Sequence, residues 1–222
     1  MAGNRCLRPV QGIALRIARL DAAGATPAGA SNLIVTDAFT KVGWAPEFAE
    51  GETLTVTNAQ GANCVDRKDA DKYRWWNIAL DLCFPDPEIA EMIAGALLIT
   101  TTGDTTGAGV PRLNQAISQN GVSLEIWTHA LNGPSNTDAI TPYIKFVMPK
   151  TYNWTIGEQS IENGAVVLPL SGTAIENPGW LNGPANDWIG PSGADSRAIM
   201  WMQTATVPAS VCGYQPTPAQ TV

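Results

Sequence analysis

The sequence holds one histidine, His129, four cysteines and twenty acidic side chains, and any chemistry it performs has to be built from these. His129 lies in the run SLEIWTHAL (123 to 131) and would have to serve as base in any Ser-His-Asp or Cys-His mechanism. No GxSxG elbow accompanies it and no cysteine sits in a recognisable nucleophile context, so it reads as a surface or interface histidine. Cys6, Cys64, Cys83 and Cys212 are spread without a CxxC pair, which offers zinc no ligand set and reads as reduced thiols of a cytosolic product. Asp66, Asp69 and Asp71 could offer oxygens to calcium, but Arg67, Lys68 and Lys72 interleave and the EF-hand glycine and glutamate are missing, so a solvated turn is expected. GDTTGAGVP (103 to 111) has glycines without the lysine of a phosphate-binding loop. Asp81 and Glu125 would mimic the acid pair of a glycosidase if their strands were neighbours; two outward carboxylates on a sheet are the simpler account. No catalytic residue, metal site or cofactor is expected.

The eight tryptophans carry more information than the titratable groups. Trp76 and Trp201 read as core. Trp44, Trp180 and Trp188 fall in turn-rich segments, where large aromatics anchor loops or subunit contacts; an aromatic platform for carbohydrate is the competing reading. Twenty acidic against thirteen basic residues give a net charge of -7, which argues against a reader of nucleic-acid grooves and against an anionic membrane surface. The basic residues Arg5, Arg8, Arg16 and Arg19 stand at the N-terminal end with no acid among the first twenty residues, as an arm seeking acidic surface on a neighbour would. There is no apolar signal-peptide core and no run of about 18 apolar residues, so a soluble, unexported chain without membrane insertion is expected.

The elements that must position these residues are mostly strands. In RWWNIALDLCFPDPEIAEMIAG (74 to 95), Trp76, Ile78, Leu80, Leu82 and Phe84 alternate with Trp75, Asn77, Ala79, Asp81 and Cys83, the period of a half-buried strand. Pro85 ends it, Asp86 caps a helix with Pro87 at its first position, Glu88 and Glu91 sit toward the positive end, Ile89, Met92 and Ile93 form the apolar stripe, and Gly95 terminates it. Further strands are expected at 12 to 20, 33 to 39, 51 to 61, 123 to 131, 143 to 150, 165 to 177 with an interruption near Pro169, and 198 to 207. Residues 42 to 51 read as a turn-rich bridge, 66 to 72 and 100 to 111 as exposed loops, and 177 to 193 as irregular. At 222 residues the chain can bury roughly 70% of its unfolded surface. The fold class is mainly β: a β-sandwich or partly closed barrel with one flanking helix at about 86 to 95. An N-terminal arm (1 to 11) precedes a single domain (12 to 207), and a flexible proline-containing tail (208 to 222) follows.

The order of these features resembles the major tail tube proteins of long-tailed, non-contractile bacteriophages. LCFPDPEIAEMIAG and the closing GTAIENPGW carry the resemblance most strongly, together with the basic first strand, SLEIWTHAL and YIKFVMPK; it spans roughly residues 10 to 190. It implies a β-sandwich flanked by a helix, and subunits that close into six-membered rings and stack into a tube. The tube would enclose a tape-measure protein and pass viral DNA without specific binding. The location implied is the virion tail, assembled in the bacterial cytoplasm. Thr53, Thr55, Thr57, Asn77, Asp81, Ser123 and Glu125, all on faces away from the expected core, are the candidate lumen-facing groups, where acidic charge would repel phosphates within the screening length of about 8 to 10 Å. Arg5, Arg8, Trp44, Trp75, Trp180 and Trp188 are the candidate subunit contacts. The alternatives are another virion component, such as a capsid decoration or tail-completion protein, or a carbohydrate-binding β-sandwich module.

Overall fold

The computed structural model describes residues 7–83, 86–111, 114, 120–131, 140–159 and 166–220. The strands are β1 (Arg8–Arg19), β2 (Gly29–Thr36), β3 (Phe39–Ala49), β4 (Thr53–Thr57), β5 (Asn63–Lys68), β6 (Lys72–Leu82), β7 (Leu97–Thr101), β8 (Asp104–Gly109), β9 (Val122–Leu131), β10 (Tyr143–Ile156), β11 (Leu168–Ile175), β12 (Met200–Thr204) and β13 (Val211–Thr217). Among the described residues there is one α-helix, α1, spanning Pro87–Ala94. Every pairing is antiparallel. The main path runs β13-β2-β1-β9-β10-β11-β6-β3, and β12 pairs with β10 off this path.

β10 turns this path into a sandwich. Its first half, Tyr143–Val147, lies between β9 and β12, whereas Lys150–Ile156 pairs with β11. The register with β9 breaks between Met148 and Thr151, and that with β11 between Tyr152 and Thr155, where Asn153 takes φ 54°, a left-handed conformation that asparagine tolerates better than most residues. One sheet, β13-β2-β1-β9-β10-β12, therefore passes into a second, β10-β11-β6-β3. Leu15, Ile17, Leu124 and Ile126 of the first meet Ile78, Leu80, Leu82, Leu168 and Leu170 of the second, with Ile89, Met92 and Ile93 of α1, in one buried cluster. Each such aliphatic side chain contributes on the order of 1.5–3 kcal/mol on full burial. The sheets do not close into a barrel.

The helix forms as its residues dictate. Asp86 accepts from the N–H groups of Glu88 (2.9 Å) and Ile89 (3.1 Å), which satisfies two donors that the first turn leaves open. Gly95 closes it at φ 70°, its N–H on the Glu91 carbonyl. Glu91, expected to serve the helix dipole, instead pairs with Arg19 of β1 and accepts from Tyr214 Oη of β13 at 2.6 Å, fastening helix and sheet. Burial pushes the Tyr214 phenol up, and the Glu91 carboxylate pushes it further.

Several expectations are corrected. Residues 42 to 51 are largely strand, because β3 pairs with β6 from Phe39 to Ala49. Residues 66 to 68 belong to β5, and 100 to 111 are mostly the β7–β8 hairpin. β11 continues through Pro169, opposite Asp81, without interruption. The tail is not free: β13 pairs with β2, Gln220 donates to the Trp180 carbonyl (3.0 Å) and accepts from the Thr26 N–H (3.2 Å). Arg8 to Val10 of the expected arm pair with β9. Trp201 is 64% exposed, so it is no core residue. Phe84, Pro85 and Arg5 lie outside the described residues.

Candidate functional site

The outer face of the first sheet is covered rather than exposed. β1 is buried from Ala14 to Ala18 and β9 from Val122 to Trp127, on both faces, because the segment 177–199 lies over the side away from the main core. That segment starts where Asn177 donates to the carbonyls of Gly24 (2.8 Å) and Pro149 (3.0 Å). It brings Trp180 and Trp188 into a second cluster with Leu20, Val147 and Met200. Under it stand two cations and two carboxylates. Arg16 pairs with Glu125, and donates through Nη2 to both oxygens of Asp187 at 2.7 and 2.9 Å. Lys145 Nζ lies 2.6 Å from Glu125 Oε1 and 2.8 Å from Asp187 Oδ1. Trp127 packs against both cations, 4.9 Å from the guanidinium and 5.0 Å from the ammonium. Burial works against the Arg16 charge, but Glu125 and Asp187 outweigh it and hold Arg16 above its ordinary range. Burial likewise works to raise the Asp187 carboxyl, and Arg16 and Lys145 outweigh it and hold it below the usual carboxylate range. With both charges matched, the group is a clamp for 177–199.

This geometry removes four residues from the roles expected for them. Ser123 and Glu125 are fully buried and line no lumen, because 177–199 covers their face. Trp180 and Trp188, 1% and 2% exposed, are spent inside the subunit as an edge-to-face pair and touch no neighbour. The Asp81 and Glu125 carboxylates are not a pair either: each lies next to core residues of a different sheet and points away from the shared core, so the sandwich separates them. His129 is half-buried with its ring 5.8 Å from Tyr143.

Asn77 and Asp81 do lie on an outer face, that of the second sheet. In register they stand beside Ala45 and Lys41 of β3 and Thr173 and Pro169 of β11, with Gly43, Ala79 and Ser171 in the row between. The result is a shallow surface of short polar and small side chains, on which Asn77 donates to Glu47 at 3.2 Å. Trp44 stands on the free strand β3, 39% exposed and tilted against Phe146. Trp75 is half-exposed beneath Arg74, whose guanidinium lies 4.3 Å from its ring centroid. Arg8 is exposed at the start of β1.

Thr53, Thr55 and Thr57 stand apart from all of these, on a hairpin that the sequence did not mark as separate. Among the described residues β4 and β5 pair with each other and with no other strand, and every residue of both is exposed. One hairpin face carries the three threonines with Asp66 and Lys68; the other carries Leu54, Val56 and Val65, which are 56%, 45% and 42% exposed, and Arg67. The neck is tight: a side chain at Gly51 would place Cβ 1.8 Å from the Asp69 carbonyl oxygen. There Gly51 N–H reaches Asp71 Oδ1 (2.8 Å) and Asp69 N–H reaches the Glu52 carbonyl (2.9 Å). Backbone donation from Gly51 and the charge of Lys68 hold the Asp71 carboxyl low.

At the hairpin base Phe48 and Tyr73, 46% and 69% exposed, approach at 4.7 Å, and Tyr73 stacks on Trp76. Sequence reasoning missed Phe48 and Tyr73; their signal was their place on either side of the hairpin, opposite each other in the β3–β6 register. The Phe48 and Tyr73 rings are tilted against each other, and Arg74 lies over Trp75, which disfavours the open, flat platform that a sugar ring stacks on. Among the described residues no helix is long and apolar enough to cross a membrane. No protein-family model matches the chain, and no curated protein matches it.

Proposed function

We propose that this chain is a structural, self-assembling subunit of the tail tube of a long-tailed, non-contractile bacteriophage. Subunits would close into rings, six-membered as the resemblance implies, and the rings would stack around a tape-measure protein. The same tube would later pass DNA without binding it.

The observation that carries self-assembly is the β4–β5 hairpin. A two-stranded hairpin alone is marginal in water, yet this one holds out an aliphatic row that no described residue of its own subunit covers. The open sheet edge supports the same reading. β3 is an eleven-residue edge strand whose outward N–H and C=O groups have no partner strand among the described residues, and such edges pair with another chain unless they are blunted. β3 carries only partial protection, in Pro46 and two register breaks. Contacts between different surfaces of successive copies are heterologous, and they close into rings when the rotation allows.

The lumen wall under this proposal is the outer face of the second sheet, where Asn77 and Asp81 lie among Gly43, Ala45, Ala79 and Ser171. These side chains are mostly short and uncharged, and Lys41 stands beside Asp81 rather than in a row of cations, so phosphates find little to hold. Negative-stain microscopy of the purified protein tests the proposal. Tubes or stacked rings are the expected result, and a monodisperse monomer at every concentration and salt condition would overturn it.

A further inference from the structure

An asparagine followed by glycine is open to attack on its side chain by the main chain itself, because glycine has no Cβ to screen its nitrogen. The sequence holds four such pairs: Asn120-Gly121, Asn132-Gly133, Asn163-Gly164 and Asn182-Gly183. The second and third lie outside the described residues. The fold treats the other two in opposite ways.

Asn120 is exposed on the bend that leads into β9. Neither its side chain nor the Gly121 N–H makes any of the described hydrogen bonds. Gly121 is held from its other side: its carbonyl accepts from the Leu20 N–H (3.2 Å), its φ is 73°, and a side chain there would place Cβ 2.1 Å from the Thr151 carbonyl oxygen. Asn182-Gly183 is closed. The Gly183 N–H donates to the Trp180 carbonyl (3.0 Å), and the Asn182 carbonyl accepts from the Trp188 N–H (3.0 Å). Gly183 is buried, with the Trp180 ring 2.8 Å from where a Cβ would stand.

We infer that Asn120 is a site of spontaneous deamidation in the folded protein, and that the covering segment 177–199 protects Asn182 from the same reaction. The Gly121 nitrogen gives its proton to solvent and bonds to Cγ of Asn120. The Cγ–Nδ2 bond breaks, and the amide nitrogen leaves as ammonia with protons from water, which yields a cyclic imide. Ring closure turns Asn120 about its own Cα–C bond on the solvent side and leaves Gly121 where it is packed. Water then opens the imide. Cleavage at Cγ gives aspartate, and cleavage at the main-chain carbonyl gives isoaspartate, linked through Cβ. The balance is one water consumed and one ammonia released, with no redox change. Either product places a carboxylate, ionised at neutral pH, ahead of β9. Isoaspartate also lengthens the main chain by one methylene beside Gly121, which is fixed against Leu20 and Thr151.

The full-length protein, incubated in warm, mildly alkaline buffer and mapped by tandem mass spectrometry, tests this assignment, with a parallel incubation in concentrated urea as reference. In urea both pairs are open and should convert at similar rates. In the folded protein Asn120 should convert at close to its rate in urea. Asn182 reacts only from locally opened molecules, so its conversion should be slowed by about tenfold or more. Isoaspartyl methyltransferase should label the Glu-C peptide ending at Glu125, and Asn120→Gln should remove that label. Folded protein in which Asn120 is protected as strongly as Asn182, or in which Asn182 converts as fast as Asn120, would overturn the assignment.

Discussion

Glu125 shows how completely one side chain's role depends on its surroundings. Its carboxylate is fully buried and bound by Arg16 and Lys145, so Glu125→Gln would leave two cations facing a neutral amide and the single carboxylate of Asp187. Breaking a buried ion pair from one side costs on the order of 3–5 kcal/mol, and urea denaturation of this variant should show a loss in that range. Asp187→Asn should cost less, because the Asp187 side chain is 39% exposed and solvent screens its interactions. The pH dependence has a definite sign. Because Asp187 is held below its unfolded value, it contributes stability that is full above about pH 4, the ordinary carboxylate range, and is lost as pH falls further through the folded value. The stability difference between the wild type and Asp187→Asn should therefore shrink on acidification below that point. A difference that stays constant from neutral to strongly acidic pH would show that the Asp187 charge does not hold the covering segment.

At the scale of elements, α1 and the β4–β5 hairpin contrast. The helix is stabilised from within by its cap and from beneath by Ile89, Ala90, Met92 and Ile93. Asp86→Ala should lower stability by about 1 kcal/mol, the usual worth of an N-cap, with no effect on assembly. The hairpin reverses both expectations. Val56 is exposed and packs on no core, so Val56→Asp should leave the unfolding midpoint of the isolated subunit within about 0.5 kcal/mol of wild type, as for ordinary surface positions, while it abolishes tubes. A variant that unfolds normally and still forms normal tubes would remove the hairpin from assembly. The sequence displayed both elements, but not equally. Asp86, Pro87 and Gly95 spell a helix locally because capping is satisfied within a few residues. Leu54 and Val56 alternating with threonines spell a strand with one buried face, and alternation says nothing about whether that face is covered by the same chain.

At the scale of the whole molecule, the first and last described strands, β1 and β13, are parts of the main sheet. Truncation after Pro208 would strip β13 from β2 and remove Gln220 from the Trp180 carbonyl and the Thr26 N–H, exposing an inner strand as a new edge. Such a protein should be less stable and prone to sheet-edge aggregation, which size-exclusion chromatography with light scattering would detect. The N-terminal arm needs a finer cut than its composition suggested. Residues Arg8 to Val10 pair with β9, so removing residues 1 to 11 would damage the sheet as well as any contact. Removing residues 1 to 7 separates the two effects: an unchanged unfolding midpoint with loss of tubes is expected, and normal tubes in electron micrographs would exclude the arm from stacking.

The amino-acid sequence by itself determined the predominance of β-strands, the capped helix, the apolar stripe from Ile78 to Leu82 and the irregular character of 177 to 193, because each follows from near-neighbour periodicity and turn chemistry. Only the tertiary structure decided which faces are covered. Ser123 and Glu125 sit at outward positions of a correctly read strand, and they are buried because a segment more than fifty residues downstream, 177–199, folds across them and supplies Asp187 to match the charge. The same long-range packing turned Trp180 and Trp188 into core, drew residues 211 to 217 into the sheet, and left the hairpin from Thr53 to Lys68 with no described residue over its aliphatic row. Burial depends on contacts between residues far apart in the chain, and a local pattern carries no record of them.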